Sequence, residues 1–334
     1  MNDVATMGEH TAAQGQQSAT IALRSPRWAQ SRAADRLFEG IVAIFAAAIL
    51  LLVALIAIEL WLGSEATRSR FGWQFIVSAD WDPVADLFGA APYIFGTLLT
   101  ALFALVLAGP IGVGAALFLN EIAPAWLRSP VGFLVEMLAA IPSVIYGLWA
   151  LFVLVPFNRS WLQPALGKTL GFLPLFSGPP YGVGYLAAGL VLTIMVLPTV
   201  TAIAQAVLTA LPSGPRDGAY AVGATRWEVM RDVSLPMARG GIIGALILGL
   251  GRALGETMAV TMVIGNRGTI GPSLFALGDT MASVIANQFA EASDALQTSA
   301  LIEIGLILFA ITVLLNLGAR ISVARLAGAG TRRA

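Results

Sequence analysis

The sequence predicts an all-α, polytopic membrane protein with six transmembrane helices. Three observations carry this. Of the 334 residues, 57% are hydrophobic, only 11% are charged, and apolar stretches of bilayer length recur six times. A soluble domain carries about 25% charged residues, and the mean hydropathy here is +0.82. The formal net charge is zero, so no basic surface points to nucleic acid. The absence of cysteine excludes disulfides, thiol catalysis and cysteine-ligated metals. The one histidine, His10, lies in the polar N-terminal segment. It reads as a solvated residue, and histidine chemistry within the membrane is excluded. No metal or cofactor is expected.

A helix needs about 20 mainly apolar residues to cross a bilayer. The stretches that qualify are Phe38–Leu62, Tyr93–Leu119, Val131–Pro156, Val183–Leu211, Gly240–Gly265 and Ser299–Ile321. Residues 1–37 are polar, rich in Gln, Ala, Thr and Ser, and read as a disordered tail. Residues 326–334 read as a second, short tail. The first span is too long for a signal-peptide core and lacks a small-residue cleavage site after it, so it is expected to be a retained anchor.

Basic residues orient the set. Thirteen arginines fall in the two tails and in the loops after spans two and four, against five basic residues on the other side. The positive-inside rule places both termini in the cytoplasm, in keeping with an even number of spans. The outer side collects acids, among them Asp80, Asp82, Asp86, Asp279, Glu291 and Asp294. Glu59 and Glu303 lie near span ends and are expected at the interface; Glu136 lies deeper in span three and invites a basic partner.

Pro110, Pro142 and Pro198 fall inside three spans. Each removes a backbone hydrogen bond and kinks a helix, either for packing or beside a cavity. Gly240, Gly244, Gly251 and Gly255 form two small-xxx-small pairs, expected to admit a close helix neighbour.

Span five holds Arg252 and Glu256 in the run Gly251-Arg252-Ala253-Leu254-Gly255-Glu256-Thr257. Each charge costs roughly 2.5–3.5 kcal/mol at a helix centre on insertion scales. A spacing of four puts both on one face, with the arginine on the N-terminal side, the weaker order for a helical pair. One reading is a buried ion pair holding helices in register. The other is a site for an oxyanion, because the planar guanidinium fork matches phosphate or carboxylate oxygens.

The loop after span four, residues 212–239, reads Asp217-Gly218-Ala219, then Gly223 three residues on, then Val233-Ser234-Leu235-Pro236 after nine more. This predicts two short helices joined by a glycine turn, the second ended by Leu235-Pro236, suited to a groove on a soluble partner.

Here the chain resembles the permease subunits of ATP-binding-cassette importers, whose cytoplasmic signature is Glu-Ala-Ala, three residues, Gly, nine residues, then Ile-x-Leu-Pro. Asp217 stands for the Glu, Gly218 for an Ala and Val233 for the Ile. The blocks Leu119-Asn120-Glu121-Ile122-Ala123-Pro124, Ala139-Ala140-Ile141-Pro142-Ser143-Val144-Ile145-Tyr146-Gly147-Leu148-Trp149 and Gly251–Ala259 are similar to those of the PstC-type permease of the phosphate importer. The sister PstA-type permease shares the Arg/Glu motif, but the first two blocks favour PstC. The segment Trp81-Asp82-Pro83 and Tyr93-Ile94-Phe95-Gly96-Thr97 fit as well.

The resemblance covers about residues 37 to 325 and implies a type I importer permease domain over 38–325. It implies a heterodimer with a PstA-type permease, two PstB-type ATPases, and a PstS-type phosphate-binding protein in the bacterial plasma membrane. This chain has no Walker A sequence, so ATP is expected on the partner. Arg252 would offer hydrogen bonds to phosphate, and Glu256 would orient Arg252 or accept the proton-bearing oxygen of hydrogen phosphate. Ser143, Tyr146, Thr199, Thr201 and Gln205 are the candidate lining. Sulfate, molybdate or another oxyanion is the alternative cargo. A membrane-embedded enzyme would need a nucleophile–base set or metal ligands that the spans lack, and an ion channel would have no use for the 212–239 loop.

Overall fold

The computed structural model describes residues 32–331. His10, the N-terminal tail up to residue 31 and residues 332–334 lie outside the described residues. The chain divides into two compact units at Ile56 and Ala57. Of the first, the structure describes part of one helix, α1 (Arg32–Gly63), which begins six residues ahead of the predicted span. Its side chains Phe38, Ile44, Ile49 and Leu50 are exposed.

The second unit continues with the short helices α2 (Glu65–Phe71) and α3 (Gln74–Val77), then α4 (Ala91–Leu117) and α5 (Ala125–Ala140). α6 (Ser143–Trp149), α7 (Val155–Phe157) and α8 (Gln163–Leu170) join through two π turns into one helical run. After α9 (Tyr185–Thr209) come α10 (Gly214–Ala221), α11 (Arg226–Glu228) and α12 (Leu235–Leu254). α13 (Met258–Thr261), α14 (Met281–Gln288) and α15 (Ala295–Thr331) complete the chain. Among the described residues, six stretches are long and apolar enough to cross a membrane: Asp35–Gly63, Ala91–Ile122, Ser143–Leu170, Tyr185–Thr209, Arg226–Leu254 and Ala295–Ile321. Strand pairing among the described residues is limited to the bridge between Asp82 and Leu87.

Span three differs from its predicted bounds. Pro142 does not kink it but precedes it: Ile141 and Pro142 are extended, with ψ of 128° and 142°. A residue before proline is pushed out of the α region, so the helix ends at Ala140 and a new one starts at Ser143. Tyr146 bridges the gap, donating its hydroxyl hydrogen to the Leu138 carbonyl at 2.8 Å. That carbonyl belongs to the last turn of α5, where helical partners run out. Pro110 and Pro198, in contrast, lie inside continuous α4 and α9.

α9 is the most enclosed span and packs chiefly on α4 and α12. Lipid tails are as apolar as leucine, so helices associate in membranes through close approach of small residues. Ala101 and Ala108 of α4 and Val196 and Val200 of α9 are fully or almost fully buried in one cluster. A Cβ on Gly112 would sit 3.0 Å from Val200, and one on Gly189 would sit 2.3 Å from Phe103. On α12 the tight glycines are Gly241, 2.4 Å from Val207, and Gly249, 2.9 Å from Val196 and Val200. The expected pairs face elsewhere: Gly240 and Gly244 have open space, and Gly251 and Gly255 meet nothing closer than 3.9 Å.

The segment between α13 and α14 folds over the start of α9. Gly184, Tyr185 and Leu186 donate their backbone N–H groups to the carbonyls of Val263, Ala276 and Leu274. These are donors that a helix N-terminus leaves unpaired. The same segment rests on α4. Met281 N–H donates to Thr97 Oγ1 at 2.9 Å, and a Cβ on Gly96 would collide with the Asp279 carbonyl at 1.9 Å. Trp81 packs edge-on against Phe88 and Tyr93 and donates from Nε1 to Gln288 at 2.9 Å.

Glu303 is buried within the protein and does not face outward. It is 5% exposed on α15, and its Oε2 is buried without a partner among the described residues. Glu59 is exposed on α1. Glu136 is exposed on α5 and forms no ion pair among the described residues.

Candidate functional site

Span five is broken where its charges sit. α12 ends at Leu254, and Gly255, Glu256 and Thr257 lie outside any helix before α13 begins at Met258. Arg252 therefore occupies the last turn of one helix and Glu256 precedes the next. A cation at a helix C-terminus and an anion at an N-terminus both suit the alignment of peptide dipoles. The sequence reading of one continuous face through both residues is corrected by this break.

The two charges are not partners. The ion pairs among the described residues are Arg70–Asp86, Arg216–Glu121 and Arg231–Asp232. Arg252 instead donates from Nη1 to Thr199 Oγ1 at 3.1 Å. Glu256 accepts the backbone N–H of Ala259 through Oε1 at 3.3 Å, which fixes the turn into α13. The expected orientation of Arg252 by Glu256 is thus not the arrangement found.

α13 packs on α6, the helix that starts after Pro142. A Cβ on Gly147 would stand 3.0 Å from Ala259 Cα and 2.6 Å from Met262 Sδ, so only glycine admits this approach without a shift. Tyr146, 7% exposed on the same helix, lies close enough to Arg252 to feel its charge. The structure thus brings Tyr146, Thr199 and Arg252 together, with Glu256 held at the adjoining break. Ser143 opens α6 and is partly exposed.

Two predicted lining residues fall elsewhere. Thr201 is fully buried, donates to the Leu197 carbonyl at 2.8 Å and packs 3.2 Å from the Cβ position of Gly112. Two residues along a helix turn a side chain by about 200°, so Thr199 and Thr201 cannot share a face. Gln205 lines a separate cleft of about 390 Å³ with Gly132, Glu136 and Thr209.

The 212–239 loop contains the first predicted helix as α10, carrying Asp217, Gly218 and Ala219. The chain then turns at Gly223, whose φ of +91° favours glycine. Thr225 and Glu228 form a reciprocal cap that starts the second helix: the Thr225 Oγ1 accepts from the Glu228 N–H, and Glu228 accepts from the Thr225 N–H at 2.7 Å. Leu235-Pro236 does not end this helix. A π turn, Val229–Ser234, leads straight into α12, with Pro236 in its first turn. There a missing N–H is tolerated.

Sequence reasoning passed over the role of Glu121, although it lies in a quoted block, and over Arg216 and Ser234. It listed Asp279 only as one of the acids of the outer side. Asp279 is 2% exposed, accepts the Thr280 N–H at 2.8 Å, and burial pushes its carboxyl up to about 6.

Six apolar spans among the described residues, a centrally packed span four and a paired-helix loop with the Asp217–Pro236 spacing are the arrangement that the resemblance to permease subunits of ATP-binding-cassette importers implies. Residues 108–328 match the family described as binding-protein-dependent transport system inner membrane component. The chain belongs to this family and, within it, to the PstC permeases. It is 47% identical over 296 residues to the phosphate transport system permease protein PstC of Haemophilus influenzae, covering 87% of this chain and 94% of that one. Against the PstC of Mesorhizobium japonicum the identity is 45% over 317 residues, covering 93% and 97%. The fold is similar to a chain of the inward-facing MetNI methionine transporter, with TM-score 0.55, 19% identity and coverage of 74% and 99%. It is also similar to one of a bacterial alginate transporter bound to its periplasmic protein, with TM-score 0.58, 17% identity and coverage of 86% and 93%. Membership places the chain in the membrane as a multi-pass component that works with an ATPase and a binding protein.

Proposed function

We propose that this chain carries inorganic phosphate into the cytoplasm as one half of a heterodimeric permease, with Arg252 on the path. Its relatives are named for phosphate transport. The observation that carries the reading is that Arg252 is held by the neutral Thr199 hydroxyl and not by Glu256. A guanidinium has five N–H donors, and one of them is engaged by the described residues. Its charge remains for an anion that must leave water. Glu256 acts indirectly, by fixing the turn after Gly255. Tyr146 and Thr199 hold the surroundings of Arg252, and Ser143 lines the path beside them.

In this reading the companion permease is PstA-type. Two PstB-type ATPases bind below the heterodimer, and one of them seats the α10–α11 loop through Asp217, Gly218, Ala219 and Gly223, with Leu235 and Pro236 starting the helix behind it. A PstS-type protein delivers phosphate from the opposite side, and both termini lie in the cytoplasm. ATP-driven closure of the ATPases rocks the spans between outward and inward openings.

The test is phosphate uptake by the complete transporter carrying Arg252→Gln, with subunit assembly monitored. Uptake should collapse while assembly persists; wild-type uptake overturns the role of Arg252. Competition with arsenate and sulfate checks the cargo. Arsenate should compete and sulfate should not; the reverse assigns another oxyanion.

A further inference from the structure

The block Leu119-Asn120-Glu121-Ile122-Ala123-Pro124 is not used by the anion path, yet it holds a tightly converged polar cluster. Glu121 lies on the π turn Phe118–Ile122 that ends span two. Its side chain is 6% exposed. One carboxylate oxygen, Oε1, meets three donors: Arg216 Nη1 at 3.3 Å, Ser234 Oγ at 3.1 Å and Asn120 Nδ2 at 3.3 Å. Arg216 stands one residue before Asp217, in α10. Ser234, fully buried, stands one residue before Leu235-Pro236. The carboxylate therefore holds both ends of the loop at once, across separations of 95 and 113 residues from Glu121 (Arg216 and Ser234).

The cluster extends to span four. Asn120 Oδ1 lies 3.3 Å from Oγ1 of Thr209, the last residue of α9, whose hydroxyl hydrogen is shared with the Gln205 carbonyl at 2.8 Å. Arg128 of α5 closes the same turn by donating to the Asn120 carbonyl at 2.9 Å. A side chain with little exposure and several charge-assisted bonds is a stiff connection, because every alternative leaves a charge desolvated and unpaired.

We propose that Glu121 is the positioning residue through which motion of the ATPase-docking loop reaches spans two and four. The proposal rests on the importer reading and deepens it. α10 cannot shift without Arg216 pulling Glu121, and the π turn at Ser234 cannot shift without the same carboxylate following. Asn120 then passes the displacement to Thr209. Glu121 touches no substrate; it transmits.

The experiment uses the complete transporter in proteoliposomes: this chain, its companion permease, the ATPases and the binding protein. ATP hydrolysis and phosphate accumulation are measured together. Glu121→Gln keeps the size of the side chain and removes the charge. It should leave ATP hydrolysed while phosphate moved per ATP falls by roughly 5-fold or more, the scale of coupling between distant sites. Arg216→Gln, on a side chain 25% exposed, should uncouple similarly. The double variant should be no worse than Glu121→Gln alone, because that change already removes the ion pair with Arg216. Unchanged phosphate per ATP in Glu121→Gln overturns the proposal. If Glu121→Gln does not assemble, Arg216→Gln decides alone: normal coupling overturns the proposal and lost coupling supports it. A wild-type complex that hydrolyses ATP but moves no phosphate overturns the phosphate reading instead, so the two failures are distinct.

Discussion

The guanidinium of Arg252 is tied to Thr199, 3.1 Å away on the neighbouring span, and not to Glu256 four positions along its own chain. The tie crosses from the last turn of α12 to the residue that follows Pro198 in α9. It joins two spans at the point where one of them stops being helical.

Thr199→Val removes the acceptor with little change of shape. A hydrogen bond to a charged group contributes about 1.5–3 kcal/mol, so thermal unfolding of the purified complex should shift down by a corresponding amount. Thr199→Ser keeps the oxygen and should stay near wild type. Equal stability of the valine variant would show that the bond contributes nothing.

Gly147 admits α13 against α6. Gly147→Ala places a methyl 3.0 Å from the Ala259 Cα, and overpacking of this kind costs about 1–3 kcal/mol. Gly147→Leu should abolish recovery of folded protein from membranes, measured by size-exclusion chromatography in detergent.

Glycines on α12 should separate by face. Gly249→Ala meets Val196 and Val200 at 2.9 Å, whereas Gly244→Ala meets open space. In detergent-solubilised chain the first should lower the melting temperature. The second should raise it slightly, since alanine is favoured over glycine in a helix by about 0.8–1 kcal/mol. Equal responses would mean that α12 presents a different face to α9.

Asp279 should make stability fall as pH rises. Its carboxyl is raised from 3.8 to about 6 by burial, against the opposing bonds from Ser283 and Thr280. Below about pH 4 the acid is neutral in both folded and unfolded chains. Between 4 and 6 the unfolded chain ionises first, and the fold loses about 3 kcal/mol relative to acid conditions. Asp279→Asn should flatten that slope and melt higher at pH 7. A wild-type melting temperature independent of pH between 4 and 7 contradicts this.

The class, the six spans and the two short helices of the 212–239 loop were legible because they rest on long apolar runs and a fixed spacing. Phe38–Leu62, Tyr93–Leu119 and Ser299–Ile321 each fall within or overlap a helix of the fold. Span three was displaced because a proline in an apolar run reads as a kink, whereas the extended Ile141 makes Pro142 a boundary. The break in span five was hidden for a related reason. Hydropathy records how apolar Gly255 to Gly265 is, not whether its backbone is helical. Thr199 was legible as a polar residue beside a proline. That Thr199 and not Thr201 meets Arg252 required knowing which face of α9 packs on α4. The convergence on Glu121 involves residues far apart in the chain, which no local pattern contains.

The open turn at Gly255–Thr257 also bears on how this subunit exists at all. Outside a helix, backbone amide and carbonyl groups find no partner in acyl chains, and each one left bare costs several kcal/mol. Gly255 and Met258 are exposed on this chain. Fatty acyl chains are therefore a poor solvent for this side of the molecule, and protein or water has to wet it. The place of this turn in the membrane is thereby set by what wets it, a polar path or a protein neighbour, and not by the lipid.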